Sequence, residues 1–119
     1  MKPGRTGMSR LFYATGYSMK GLQAAWKNEA AFRQEIVASI ILIAITFFLP
    51  VNELEQLMII GSLVLIVIVE LMNSAVEAVV DRVGSEWHEL SGRAKDIGSA
   101  AVLIALLFAA FTWIFILVR

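Results

Sequence analysis

The chain has 119 residues, 59% of them hydrophobic, and its ten Lys and Arg residues balance its ten Asp and Glu residues. Its mean hydropathy of +0.77 lies well above that of ordinary soluble proteins. A single core of this length cannot bury so much apolar surface, so the composition excludes a typical soluble domain and predicts one small membrane-embedded domain. The absence of cysteine excludes a disulfide framework and a thiolate metal site, and we expect no nucleic-acid partner.

Residues 8–27 have the pattern of an amphipathic helix. Apolar side chains recur there at helical spacing, and Arg10, Tyr13, Tyr17, Lys20 and Lys27 lie on another face. Such a segment is typical of a helix lying on the inner leaflet of a membrane, with its cations near anionic headgroups. An arm packed on the bundle is the alternative. We expect no cleavable signal peptide, because the first 30 residues lack an uninterrupted apolar core.

Three apolar segments follow, at residues 30–49, 54–81 and 97–118. The first is short because Pro50 closes it, and a span of about 20 residues then has to include Arg33 and Glu35 at the interface. Only helices and closed barrels cross a bilayer, and no alternating strand pattern is present. The sequence therefore predicts an all-α membrane protein with three transmembrane helices and an N-terminal surface helix.

The positions of the cations predict the orientation. Six of the ten Lys and Arg residues precede residue 34, and the second loop holds Arg82, Arg93 and Lys95. The first loop, around residues 51–56, has none. Because cytoplasmic loops are enriched in Lys and Arg, we expect the N-terminus and the second loop inside and the C-terminus outside. Arg119 alone opposes this orientation.

Four polar residues share one face of the second span. At 100° per residue, Glu70, Asn73, Glu77 and Asp81 fall within a stripe about 80° wide. An ionisable group inside a membrane segment is costly, so it indicates function. Glu70 lies sixteen residues after Leu54, or about 24 Å along a helix, which places it just under the inner headgroups of a core about 30 Å thick.

This depth favours particular roles for the acids. A carboxylate at Glu70 could act as general base towards a lipid hydroxyl. Glu77 lies about 10 Å further along the helix, nearer water, where it and Glu29 could hold Mg²⁺. The residues alone thus predict a polar site at the inner membrane interface, with phosphoryl transfer as one possible chemistry.

Residues 85–96 are predicted to form a loop that contains the single histidine, His88. Taken alone, this loop is most simply a solvated connector with Trp87 at the membrane surface. Soluble-kinase motifs give no support, because Leu22 stands where the phosphate-binding loop of residues 16–21 would require lysine.

Three stretches together resemble the small prokaryotic diacylglycerol kinases. They are VELMNSAVEAVVDR at residues 69–82, SEWHELSGRAKDIGSAAVL at residues 85–103, and GYSMKGL, AAW and NEAAFRQE within residues 16–35. The resemblance implies an integral membrane kinase of phospholipid metabolism that uses ATP and Mg²⁺ to convert diacylglycerol into phosphatidic acid. It also implies a homotrimer of three-span subunits in the bacterial inner membrane, with shared active sites on the cytoplasmic side.

The resemblance assigns residues as well. The catalytic base falls on Glu70, and the metal-binding carboxylates fall on Glu29 and Glu77. The nucleotide contacts fall on Arg10, Tyr17, Glu29, Glu77, Glu86, His88, Lys95 and Asp96. The lipid site comprises Arg10, Ala14, Gly16, Tyr17, Trp26, Arg33, Glu35, Glu70, Ser99 and Trp113. Asn73 and Asp81 are supporting residues, and Asn73 would orient Glu70 or a phosphate. Met19 stands where an aromatic residue is expected in close relatives.

Three other hypotheses compete with this one. An undecaprenol kinase of the same superfamily would share the acidic face, although residues 85–95 resemble the diacylglycerol branch better. A small ion-coupled transporter would use Glu70 for its ion, but Glu70 is not near the midplane and no discontinuous span is evident. A non-catalytic scaffold offers no account of four polar groups on one stripe.

Overall fold

The computed structural model describes residues 6–119, and all the regular secondary structure in that range is α-helical. The helices are α1 (Gly7–Asn28), α2 (Ala30–Thr46), α3 (Glu53–Val83) and α4 (Glu89–Val118). The predicted all-α class is therefore confirmed. Lys2 and Arg5, two of the cations used to predict orientation, lie outside the described residues.

Two of the four helices are long and apolar enough to cross a membrane, namely α3 with 31 residues and α4 with 30. The helix α2 has 17 residues, fewer than the roughly 20 that a bilayer crossing needs. It ends at Thr46, three residues before the predicted limit of the first span, and residues 47–50, the last of which is Pro50, form turns and bends. The placement of α1 on a membrane surface stays a prediction.

The core lies between α3 and α4, which make the most extensive contact in the bundle. It contains Ile59, Leu63 and Ile66 of α3 and Ala105 and Ala109 of α4, all nearly inaccessible. Alanine at these α4 positions lets the two helices approach closely. Many large apolar side chains remain exposed, including Phe108, Phe111, Ile114 and Phe115 of α4. Exposed apolar surface of this extent is typical of chains that contact lipid or further subunits.

The chain turns sharply between α1 and α2 at Glu29, which adopts an extended backbone with φ −118° and ψ 105°. The guanidinium group of Arg33 donates hydrogen bonds to the carbonyl oxygens of Trp26 and Lys27, at 2.6 and 3.2 Å. These carbonyls belong to the last turn of α1 and have no partner within that helix. Arg33 therefore joins the end of α1 to the first turn of α2 and fixes Glu29 at the corner.

The loop predicted at residues 85–96 is wrong for residues 89–96, because α4 already begins at Glu89. His88 caps this helix by accepting a hydrogen bond from the backbone N–H of Leu90 at 3.0 Å on its Nδ1 atom. Glu89 and Arg93 then pair across one turn at 3.6 Å. The cap and this i,i+4 pair favour the helix, and the lone Gly92 costs only about 1 kcal/mol.

Arg119 is partnered at the opposite end of the bundle. Its guanidinium forms an ion pair with the carboxylate of Glu55 and also reaches the carbonyl oxygen of Pro50, at 3.5 Å. Glu55 accepts from the backbone N–H of Asn52 at 3.0 Å, and the Asn52 side chain accepts from the backbone N–H of Glu55 at 2.8 Å. The cation that opposed the predicted orientation is thus held locally by an acid in the α2–α3 connection.

Because Glu55 belongs both to this ion pair and to the capping box of α3, Glu55→Ala should destabilise the protein more than Arg119→Ala. We expect up to about 1 kcal/mol for Arg119→Ala, and for Glu55→Ala an additional loss of about 0.5–2 kcal/mol from the damaged cap. Equilibrium unfolding in detergent micelles measures both. Glu53→Ala in the same first turn is the control, and equal losses for Glu55→Ala and Glu53→Ala would contradict this assignment.

Candidate functional site

The structure buries Glu70 between helices, with only 6% of its surface exposed. The carboxyl group of Glu35, on α2, lies close enough to the Glu70 carboxyl group for each to act on the other electrostatically. The Glu35 Oε2 atom is itself buried and accepts no hydrogen bond from the described residues. Two buried carboxyl groups side by side are costly unless a proton or a cation is bound there. This pair is therefore a candidate for chemistry rather than a stabilising contact.

Two further acids act electrostatically on one member of this pair. The charges of Glu77 and Glu29 both act on Glu70, so all four acids belong to one electrostatic cluster. Glu77 lies two turns further along α3, and Glu29 forms the corner between α1 and α2. The structure thus gathers the predicted base and both predicted metal ligands from three segments of the chain. We call Glu29, Glu35, Glu70 and Glu77 the acidic cluster.

Within residues 6–119, no group of three or more His, Cys, Asp or Glu residues is arranged to hold a metal ion. Magnesium does not require such a group, because it usually keeps several waters and binds one or two carboxylates together with substrate phosphates. Glu29 and Glu77 have the oxygen donors that this ion prefers, and their role as its ligands stays a prediction.

A lysine stands beside the acidic cluster. The Nζ atom of Lys95, on α4, lies 2.8 Å from a carboxylate oxygen of Asp81, on α3. The hydrogen bond with Asp81 and the negative charges of Asp81 and Glu77 raise the pKa of Lys95 above its ordinary value. Lys95 therefore stays positively charged through the physiological range. The predicted supporting residue Asp81 holds this cation near the end of α3.

His88 has a defined orientation because its Nδ1 atom caps α4. A neutral imidazole that accepts at Nδ1 carries its proton at Nε2, which leaves Nε2–H as a donor for an anionic group. His88, Glu86 and Asp96 are exposed, as is Lys95, so a soluble ligand could reach all four. The structure places these four predicted nucleotide contacts in the α3–α4 connection and the first two turns of α4.

A cavity of about 580 Å³ separates α1 from α3. Its lining is mostly small or apolar, with Glu29 at the corner, and consists of Ser18, Gly21, Leu22, Ala24, Ala25, Asn28, Glu29, Leu71, Ser74, Ala75 and Ala78. Apart from Glu29, none of these lining residues is among the predicted site residues. The available signal was the recurrence of Ser18, Gly21, Ala25 and Asn28 on one face of α1, where small side chains leave space.

A second, apolar groove of about 360 Å³ lies between α1 and α2 and contains Trp26 together with Met19, Leu22 and Phe32. Of the other predicted lipid residues on α1, Ala14 and Tyr17 are half-buried and Gly16 is exposed. Ser99, on α4, is exposed as well. Arg33 makes the helix-joining contacts described above, which sequence reasoning did not foresee.

Two predicted site residues lie far from the acidic cluster within one chain. Trp113 is fifteen residues beyond Gly98 on α4, roughly 22 Å along the helix, and it packs against the core of the bundle. Arg10 is exposed near the start of α1, roughly 27 Å along that helix from Asn28. The structure therefore does not gather every predicted residue into one site.

These observations describe an all-helical protein with two helices apolar enough to cross a membrane and with clustered charged residues towards the end of α3 and the start of α4. A sequence model described as "Prokaryotic diacylglycerol kinase" matches residues 16–117. The chain belongs to the prokaryotic diacylglycerol kinase family.

Named relatives agree with this assignment. The chain is 56% identical to diacylglycerol kinase of Escherichia coli K12 over 117 residues, which cover 98% of this chain and 96% of the relative. It is 53% identical to the Haemophilus influenzae enzyme over 91% of this chain and 92% of the relative. It is 49% identical to the Pseudomonas aeruginosa enzyme over 96% of this chain and 93% of the relative.

Membership of the family confirms the resemblance and the enzyme class, a lipid kinase. The transporter and scaffold hypotheses are thereby set aside, since neither is a kinase.

Two substitutions of His88 should show how much its capping of α4 contributes to stability. His88→Ala removes the N-cap of α4 and should cost about 1 kcal/mol, whereas His88→Asn supplies another good capping side chain and should cost much less. Unfolding in detergent micelles measures the difference. Equal losses in the two variants would show that the Nδ1 contact does not stabilise α4.

Proposed function

We propose that the protein transfers the γ-phosphoryl group of ATP to the free hydroxyl group of diacylglycerol, giving phosphatidic acid and ADP, at the cytoplasmic interface of a bacterial inner membrane. The observation that carries this proposal is the burial of Glu70 on α3, where the carboxyl groups of the three other acids of the acidic cluster act on it electrostatically. The names of the relatives support the choice of substrate.

In the proposed reaction, the hydroxyl oxygen of the lipid attacks the γ-phosphorus, and the bond between that phosphorus and the bridging oxygen of ADP breaks. Glu70 takes the hydroxyl proton as general base. A carboxylate shielded from water suits this role because it lies at the depth at which a lipid alcohol can reach it. Catalysis of phosphoryl transfer is otherwise largely positioning and charge stabilisation.

Glu29 and Glu77 would hold Mg²⁺, which neutralises phosphate charge when bound. The negative charges of both side chains act on Glu70. A divalent cation would therefore relieve repulsion within the acidic cluster. Lys95 and the Nε2–H group of His88 would donate to phosphate oxygens. Arg10, Tyr17, Glu86 and Asp96 complete the proposed nucleotide contacts.

The cavity between α1 and α3 is the proposed entry of the lipid headgroup. Its walls are small and apolar, and its few polar groups, on Ser18, Asn28 and Ser74, suit a glycerol ester. Ser74 Oγ is buried without a partner among the described residues, so it is available to the ligand. The acyl chains would extend along the apolar groove that contains Trp26. The other proposed lipid contacts are Arg10, Ala14, Gly16, Tyr17, Arg33, Glu35, Ser99 and Trp113.

We propose three membrane spans, formed by α2, α3 and α4, with α1 lying on the inner surface of the membrane. The wide exposed apolar surfaces of α2 and α4 support contact with lipid and with other subunits. A homotrimer with shared sites also gives Arg10 a role, because the Arg10 of one subunit could complete the acidic cluster of a neighbour. The N-terminus would then be inside and the C-terminus outside.

Undecaprenol is the alternative lipid alcohol. The comparison that separates the two hypotheses is turnover of diacylglycerol and undecaprenol in the same mixed micelles with ATP. Faster phosphorylation of undecaprenol would overturn the proposed substrate while leaving the kinase chemistry in place.

Glu70→Gln should reduce formation of phosphatidic acid at least about 100-fold, because base catalysis typically contributes 10²–10⁴-fold. The measurement is transfer of ³²P from ATP to diacylglycerol. Glu53→Gln, an exposed acid at the start of α3, makes the same chemical change away from the acidic cluster and should keep full activity. If the Glu70→Gln variant formed intact oligomers and kept more than about a tenth of the activity, this would contradict the role of Glu70 as general base.

Glu29→Ala and Glu77→Ala should each shift the Mg²⁺ concentration for half-maximal activity upward by about tenfold or more, because each removes a carboxylate that favours hard cations. Titration with MgCl₂ at saturating ATP measures the shift, again with Glu53→Gln as control. An unchanged titration curve in both variants would remove these residues as ligands.

A further inference from the structure

One close approach between α3 and α4 is not explained by the roles proposed so far. Gly98, on α4, faces the side chain of Asn73, on α3. A Cβ atom built at Gly98 would overlap Asn73 Oδ1 and come within 3.3 Å of Asn73 Cγ. By contrast, a Cβ atom at Gly16, Gly21, Gly61 or Gly92 would meet nothing within 4 Å. The amide group of Asn73 therefore occupies the space that a side chain at position 98 would need.

This contact holds the amide in one position. Asn73 Oδ1 is buried and receives no hydrogen bond from the described residues. The Cβ direction of a glycine is also the direction of one of its two Cα hydrogens, so a Cα–H of Gly98 points at this oxygen. Such contacts are weak, and they fix geometry more than they stabilise. With Oδ1 directed at α4, the N–H₂ group of the amide is directed away from Gly98.

Asn73 lies three residues after Glu70 and four residues before Glu77, on the same face of α3. Its N–H₂ group is the hydrogen-bond donor that stands between the two acids along that face. A donor in this place can orient the Glu70 carboxylate or a transferring phosphate only if its rotamer is fixed. Small errors of position at such sites can cost 10²-fold in rate.

We propose that Gly98 is a positioning residue for phosphoryl transfer, because the space left by its missing Cβ seats the Asn73 amide between Glu70 and Glu77. The inference rests on the proposed kinase function. Gly98 acts through Asn73 and touches no substrate itself.

The substitution that tests this is Gly98→Ala. One added methyl group displaces the far end of a flexible side chain, which can rotate, so the helices need not separate. Alanine also has a higher helix propensity than glycine, which offsets part of the strain. We therefore expect a folded protein whose kcat for diacylglycerol falls at least about tenfold, while KM for Mg-ATP and for lipid each change less than threefold.

Gly61→Ala is the matched control, because it makes the same change at a helical glycine of α3 with open space around it, and it should keep wild-type kcat. The direct readout is the side-chain amide signal of Asn73 in ¹H–¹⁵N spectra of the protein in micelles, assigned by its loss in Asn73→Ala. Gly98→Ala should move this signal, and Gly61→Ala should leave it in place.

Each outcome decides the proposal. An unmoved Asn73 signal, or a kcat for Gly98→Ala equal to that of Gly61→Ala, overturns it. If Gly98→Ala fails to fold, Asn73→Ala combined with Gly98→Ala should restore folding, and its failure to do so overturns the proposal as well. Absence of ATP-dependent lipid phosphorylation in the wild-type protein would instead refute the kinase function, and the NMR signals would still report whether Gly98 positions Asn73.

Discussion

The arrangement of this protein depends on a carboxyl group that is kept away from water. Glu70 is 6% exposed and lies in a helix whose preceding residues are almost all apolar. Burying an acid costs free energy that the packing of so small a bundle must offset. A second carboxyl group, that of Glu35, beside it increases this cost. Such a pair is costly unless a proton or a cation is bound there, and the charges of Glu29 and Glu77 add to the cost.

The two ends of the bundle differ in the kind of polar contact they contain. At one end, Arg119 and Glu55 form a closed set of contacts with the connection between α2 and α3, so that the charges satisfy each other. At the other end, the acidic cluster has no ion pair among the described residues, and the separate Lys95–Asp81 pair is exposed on both sides. Paired charges stabilise a connection, whereas unpaired carboxylates favour a bound cation, and an exposed lysine such as Lys95 can donate to an anion. This difference supports the proposal that the site lies at the end of the bundle that contains the acidic cluster.

Sequence reasoning predicted the helical class and the acidic face well, because 3.6-residue periodicity and a run of apolar residues are local signals. The start of α4 was missed because a histidine cap is weaker in sequence than Ser, Thr, Asp or Asn, and because Gly92 resembles a loop residue. The role of Arg33 was missed because its partners are backbone carbonyls, which no side-chain pattern reveals. The α1–α3 cavity and the contact of Asn73 with Gly98 depend on how the helices pack together. The periodicity of the sequence does not determine this packing.

We propose that Glu70 lies at the boundary between acyl chains and headgroups, where a lipid alcohol can meet a nucleotide. Spin labels at Leu65, Met72 and Val79, three exposed positions along α3, would measure this depth by the ratio of accessibility to oxygen and to a water-soluble nickel complex. We expect this ratio to be highest at Leu65, to fall at Met72 and to be lowest at Val79. A maximum at Met72 would place Glu70 near the bilayer centre and contradict the account.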